Sequence, residues 1–274
     1  MSLMRLLRIS ITAVFAVTLV IFVRYWYRSQ IKADKTIPKI TIDNDMLLVD
    51  LDATEEDLLV GVTAYDEKDH DLTDRIIVES ISKFTEKGVC KVYYAVCDND
   101  NHVTSDFRKI TYKGYTSPKF TMSRSLCYSL LETVNTAEVI GAVDVLDGDI
   151  SGNIITTSSD YEYGVPGIYT VRAEVSNSKG DGIAISLPLI VEDRSVNAPV
   201  ITLSDYLIYV KKGESVDPKQ YFVSALDSYD VDVSDTLRME NDFNQENAGT
   251  YSFHYYAVDA LGRQGHSVLT VVVE

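Results

Sequence analysis

Three acidic phrases recur in this chain, each with carboxylates spaced as a hard cation would need them. Asp66, Asp69 and Asp71 are followed by Leu72 and Thr73; Asp144, Asp147 and Asp149 by Ile150 and Ser151; Asp227, Asp230 and Asp232 by Val233 and Ser234. Calcium takes roughly six to eight oxygen ligands, from carboxylates and backbone carbonyls. Each phrase supplies three carboxylates within six residues. Asp98 in the first copy and Asp259 in the third stand where a later turn could bring them to the same end of the unit, so calcium is one expectation for these loops. The other is that the aspartates cap turns by accepting backbone N–H bonds and otherwise face water. No EF-hand pattern is present.

Other chemistry is sparse. The four histidines (His70, His102, His254, His266) are scattered in sequence, and His70 has no counterpart in the other two phrases. No Ser/His/Asp spacing, Cys/His pair, P-loop or dinucleotide fingerprint is found, which argues against an enzyme and against an organic cofactor. Cys90 and Cys97 sit seven residues apart on one expected strand, a span of roughly 23 Å, too far for a disulfide. With Cys127 they are expected to be free thiols packed as small apolar side chains. The chain has 18 tyrosines. Tyr93, Tyr161, Tyr163, Tyr229 and Tyr256 fall on outward faces or loops, and Tyr161 and Tyr163 in Asp160–Gly164 form the first candidate for a protein or glycan contact.

The phrases lie 78 and 83 residues apart, the size of a small β-sandwich, so the chain reads as three copies of one unit. Gly88, Gly167 and Gly249 follow the phrases at a nearly constant distance, and ten residues past each stands Asp98, Asn177 or Asp259. Between them the side chains alternate. The inward set is Cys90, Val92, Tyr94, Val96 in the first copy, Tyr169, Val171, Ala173, Val175 in the second and Tyr251, Phe253, Tyr255, Ala257 in the third. Period-two alternation with one apolar face is a half-buried strand. A last strand is expected over 183–191 and 267–273. Gly167-Ile168-Tyr169 and Gly249-Thr250-Tyr251 have the form of a tyrosine corner, in which the hydroxyl pins upstream backbone. Cys90 takes that tyrosine's place in the first copy, which is expected to be the least stable. Thr54–Leu59 could form a helical turn. Linkers are expected over 112–118 and 192–199, giving units at 36–114, 115–194 and 195–274.

Residues 9–23 carry no charge, and Arg24-Tyr25-Trp26-Tyr27-Arg28 closes the run with rings suited to a headgroup boundary. A helix over residues 6–27 would be about 33 Å long, enough for a bilayer core. A retained anchor is expected over a cleaved signal peptide, because bulky rings stand where cleavage would occur. Residues 1–35 then form a cytoplasmic tip, a signal-anchor and a linker. No sorting motif follows Val273, so this run is the expected anchor. Flanking basic residues alone would place the units in the cytoplasm, but long domains translocate largely regardless of such charge. Beyond residue 35 there are 19 basic and 40 acidic side chains, a surface that would repel nucleic acid.

The Asp147-Gly148-Asp149-Ile150-Ser151 stretch, the Gly167-Ile168-Tyr169 corner and the strand running to Asn177 resemble the Ig-like repeats of bacterial surface proteins, related to hyalin-repeat and cadherin-like modules. The resemblance covers residues 38–274. The third copy lacks the loop glycine and the first lacks the corner tyrosine. It implies three tandem all-β Ig-like sandwiches behind one transmembrane helix, displayed outside the cell as a non-catalytic stalk or adhesion module. The competing expectations are a bitopic subunit of an envelope assembly and a calcium- or glycan-binding ectodomain.

Overall fold

The computed structural model describes residues 3–32 and 36–274, with side chains from 8 to 28 and from 36 onward. Alternation, turn chemistry and one apolar run account for its elements. Helix α1 (Leu3–Lys32) contains the apolar run, and its Arg8–Arg28 stretch is long and apolar enough to cross a membrane, with none of it buried. It exceeds the expected span by several residues at each end. Every chain segment after it is built on strands, and the fold is all-β: Ig-like sandwiches of paired sheets.

The chain divides into two compact units. The first comprises Met1–Val49, Ala53–Ile81 and Cys90–Thr111. Its strands are β1 (Lys39–Ile42), β2 (Met46–Val49), β3 (Val62–Asp66), β4 (His70–Asp71), β5 (Ile77–Ile81), β6 (Val89–Cys97) and β7 (Val103–Tyr112). They form a three-stranded sheet, β1-β3-β4, and a four-stranded sheet, β2-β7-β6-β5. Between β2 and β3 lies helix α2 (Glu55–Leu59), the helical turn expected there. Thr54 and Asp57 cap it reciprocally, each accepting the other's amide. The inward set of β6 is buried as its alternation requires. At its centre Arg108 is buried too: Nε donates to the Tyr94 hydroxyl at 2.8 Å and Nη2 to the Leu58 carbonyl at 2.6 Å. The Tyr94 hydroxyl donates to the same carbonyl at 2.7 Å. This side-chain lock occurs in the unit that lacks a corner tyrosine.

The second unit comprises Asp50–Asp52, Ser82–Val89 and Tyr112–Glu274 and holds two further sandwiches. One is made of β8 (Lys119–Met122), β9 (Cys127–Ser129), β10 (Ile140–Asp144), β11 (Gly148–Asp149), β12 (Ile155–Ser159), β13 (Gly167–Ser176) and β14 (Gly182–Glu192). The other is made of β15 (Val200–Leu203), β16 (Leu207–Val210), β17 (Phe222–Leu226), β18 (Arg238–Asn241), β19 (Gly249–Val258) and β20 (Gln264–Val273). Each has a long hairpin, β13-β14 or β19-β20, at the centre of a four-stranded sheet. In each a short early strand joins that sheet parallel to the last strand: β9 beside β14 and β16 beside β20. The inward side chains of the hairpins fill two cores, around Leu187 and Leu189 in one and Phe253 and Leu269 in the other. Where the two sandwiches meet, Leu207 and Tyr209 pack on the first core, and the Tyr209 hydroxyl accepts the Phe120 amide at 3.0 Å.

Candidate functional site

The acidic phrases build the same turn three times. The first aspartate of each accepts backbone amides of its own loop: Asp66 Oδ1 from Lys68 and Asp69, Asp144 Oδ1 from Leu146 and Asp147, Asp227 Oδ1 from Tyr229 and Val231. The last aspartate caps a single 3-10 turn: Asp71 accepts the Thr73 amide, Asp149 that of Ser151 and Asp232 that of Ser234, at 2.9–3.0 Å. The hydroxyl that ends the phrase then accepts an amide from the neighbouring strand, from Ala64, Ala142 or Ala225. The phrase is therefore a hydrogen-bonding programme, with an aspartate or a hydroxyl residue kept where those bonds are made.

In the first two copies the middle aspartate ties this turn to the next one. Asp69 Oδ2 accepts the Asn99 amide at 2.8 Å, and Asp147 Oδ2 accepts that of Ser178 at 2.6 Å. Asp98, Asn177 and Asp259 each accept two amides of their own hairpin turn. Hydrogen bonds to the caps hold the carboxyls of Asp71, Asp149 and Asp232 below the usual carboxylate range.

The third copy shifts by one residue, for a steric reason. His70 and Gly148 occupy the same place in their loops and both have positive φ, 66° and 72°. Val231 stands there in the third loop. A β-branched residue is strongly disfavoured at positive φ, and Asp230 takes the left-handed conformation instead, at 61°. The paired strand that follows in the other two copies is reduced to a single bridge between Leu226 and Asp232.

The corner residues are placed as their pattern suggests. The Tyr169 hydroxyl donates to the Val165 carbonyl at 2.8 Å and that of Tyr251 to Asn247 at 3.1 Å, each four residues upstream. Each ring lies against its own glycine, Gly167 or Gly249. Gly88 differs: its φ is +75°, and a Cβ there would meet the Tyr115 ring. In the tyrosine loop the two candidates separate. Tyr161 packs edge-on against Tyr169, while Tyr163 is 87% exposed.

One cluster escaped the reading from spacing. Cys127, on β9, does not simply pack as an apolar residue. Its Sγ lies 3.3 Å from His266 Nδ1 and 3.8 Å from Glu192 Oε2, and His266 Nδ1 lies 2.8 Å from Glu192 Oε1. Among the described residues, this is the group whose three ligand-type atoms fall within 4.8 Å of one another. The histidines are not all scattered in space either. His254 and His266 face each other across the β19-β20 hairpin, Nδ1 to Nε2 at 3.0 Å. Tyr256, on the face of β19 turned away from its own core, stacks on His266 with centroids 4.3 Å apart. Arg194 flanks the cluster: Nη2 donates to the Cys127 carbonyl at 3.0 Å, and the guanidinium lies between Glu192 and Glu132. A cleft of about 170 Å³ opens beside it, lined by Arg124, Ser125, Ser129 and Ser267 among others.

Burial, reinforced by the Glu192 carboxylate, pushes the Cys127 thiol up to about 12. A nucleophilic cysteine needs the opposite shift. Burial raises Glu192 most, but its bond to His266, the nearby His266 and Arg194 charges and the Cys127 contact together outweigh that and hold it below the usual range. Burial and the neighbouring His266 lower His254, which favours its neutral ring.

No family model matches the chain. Over 137 residues it is 31% identical to an uncharacterized 81.3 kDa protein of Acholeplasma phage L2, covering 48% of this chain and 18% of that protein. Over 222 residues it is 26% identical to the pesticidal crystal protein Cry22Aa of Bacillus thuringiensis, covering 78% of this chain and 30% of that protein. The chain thus spans less than a third of either relative. Similar solved structures include the CBM51-2 (in complex with GlcNAc) and INT domains of Clostridium perfringens ZmpB, at 17% identity and TM-score 0.23, over 54% of this chain and 26% of that one. Another is Drosophila N-cadherin EC1-4, at 13% identity and TM-score 0.23, over 88% and 76%. Likeness at this level says nothing of ligand or partner.

Proposed function

We propose that the chain is a non-catalytic, membrane-anchored array of Ig-like modules, displayed outside a bacterial cell as a stalk or binding surface. The observation that carries this reading is the use made of the acidic phrases. In every copy the first and last carboxylates and the hydroxyl are committed to holding turns. Helix α1 supports the anchor, since nothing buries its apolar surface and a bilayer is the environment that would. The modules in this reading run 36–114, 115–194 and 195–274. Their acidic surface disfavours nucleic acid and anionic lipid as partners.

A protein or glycan ligand would meet the loop at Tyr163, whose ring stands out while Tyr161 braces the loop from beneath. With those oxygens already bonded, calcium is not required for this role, and millimolar calcium is expected to leave the melting temperature unmoved. Protease treatment of intact cells is the direct test. Loss of all three modules from the cell-associated chain supports the reading. Protection until the membrane is breached would place them inside and end it.

A further inference from the structure

We propose that Cys127, Glu192 and His266 form a zinc site that fastens the second sandwich to the third. The three come from different strands: Cys127 from β9, Glu192 from the end of β14 and His266 from β20. β9 and β14 are paired in the same sheet, with Ile190 opposite Cys127, so thiol and carboxylate are presented together. His266 approaches from the other sandwich. The two backbones are held at this point by the Val268 amide, which donates to Ser125 Oγ at 3.0 Å, and by the apolar contact of Cys127 and Ile190 with Val268.

The spacing suits one ion. Zinc bonds of about 2.3 Å to sulfur and 2.0–2.1 Å to nitrogen or oxygen make tetrahedral edges of roughly 3.3–3.6 Å. Sγ lies 3.3 Å from Nδ1; Glu192 reaches Nδ1 with Oε1 at 2.8 Å and Sγ with Oε2 at 3.8 Å, and one carboxylate oxygen lies within 4.8 Å of both other atoms. A turn of the Glu192 carboxylate and small side-chain shifts bring all three atoms to coordination distance. Thiolate, imidazole and carboxylate together favour zinc over calcium or magnesium.

The surroundings match what a histidine ligand needs. Such a ligand nearly always donates its second ring N–H to a fixed acceptor, which sets the tautomer. His266 Nε2 lies 3.0 Å from His254 Nδ1. Donation there leaves the Nδ1 lone pair facing Cys127 and Glu192. Tyr256 stacked on His266 fixes the plane of the ring. The charges balance as well. A thiolate, Glu192 and Glu132 offset Zn2+ and the adjacent Arg194. Loading transfers the Cys127 thiol proton to solvent. The neighbouring cleft gives water access to the fourth position.

Cobalt provides the test, because a thiolate ligand gives Co2+ an intense near-ultraviolet charge-transfer band. The reduced full-length chain is titrated with Co2+ and then with Zn2+. The expected result is that band at one equivalent, its displacement by zinc, its loss in Cys127→Ser and its retention in Cys97→Ser. His254→Ala, a change at a positioning residue, keeps the band and weakens zinc binding roughly 10–100-fold. No band in the unaltered chain, or a band that survives Cys127→Ser, overturns the proposal. Because the first of these outcomes needs no variant, misfolding of a substituted chain cannot shelter the idea.

Discussion

Asp149 and Ser151 hold each other twice: the Ser151 amide donates to Asp149 Oδ1 at 2.9 Å and its hydroxyl to the same oxygen at 2.6 Å. That double bond aims the serine oxygen at the Ala142 amide, 3.0 Å away, in the middle of a buried strand. A surface carboxylate thus satisfies an interior donor through one intermediary.

Ser151→Ala leaves the Ala142 amide without that acceptor and is expected to cost about 1–3 kcal/mol. Ser151→Thr is expected to be nearly neutral, since Thr73 makes the same bond to Ala64 in the first copy. Chemical denaturation of the two variants checks both. Equal losses would show that the hydroxyl has no such role.

Acid should loosen these turns. The Asp71, Asp149 and Asp232 carboxyls titrate lower in the folded chain than in the unfolded one. Their contribution is present above the unfolded value, about 3.9, and disappears as pH falls through the depressed folded values. The melting temperature is expected to drop below about pH 4, and less steeply in Asp149→Asn. An acid profile unchanged by that substitution would assign the lability elsewhere.

His70 carries a positive φ where the second copy has Gly148. A left-handed conformation costs an L-residue roughly 1–2 kcal/mol, partly offset here because glycine loses more entropy on folding. His70→Gly is expected to stabilise the first sandwich by about 0.5–1 kcal/mol. Thermal unfolding decides it, and a lower melting temperature would mean that the His70–Tyr65 contact outweighs the strain.

Gly265 faces the Pro199 carbonyl so closely that a Cβ would overlap it. Gly265 immediately precedes His266, and Pro199 lines the cleft beside the Cys127 cluster. Gly265→Ala is expected to cost about 1–3 kcal/mol and to weaken zinc binding in the same variant. A stable Gly265→Ala chain with full affinity would contradict the packing described for that corner.

The long hairpins were readable because alternation is a local signal: inward and outward side chains of β13 and β19 follow from period two alone. The boundaries of β14 and β20 came within a few residues for the same reason. The shift in the third acidic loop was half readable, since its glycine is missing, but the move of positive φ to Asp230 follows only once Val231 must stay out of that region. The metal cluster was not readable. Cys127 and His266 are 139 residues apart and Glu192 lies between them, 65 from one and 74 from the other. Their meeting depends on how two sandwiches pack, which no periodicity encodes. The His254–His266 pair was within reach. A hairpin turning near Gly262 puts Tyr256 opposite His266, and His254 is one same-face step away.

The pairing of β9 with β14 and of β16 with β20 carries a mechanical consequence. In both sandwiches the strand near the beginning runs alongside, and in the same direction as, the one at the end. Tension between the termini of such a body drags these neighbours lengthwise past each other. Their evenly spaced rungs then share the load and must give way together, whereas a hairpin peeled from its tips loses them singly. Under the proposed stalk role, such a body is reinforced along the axis of pull.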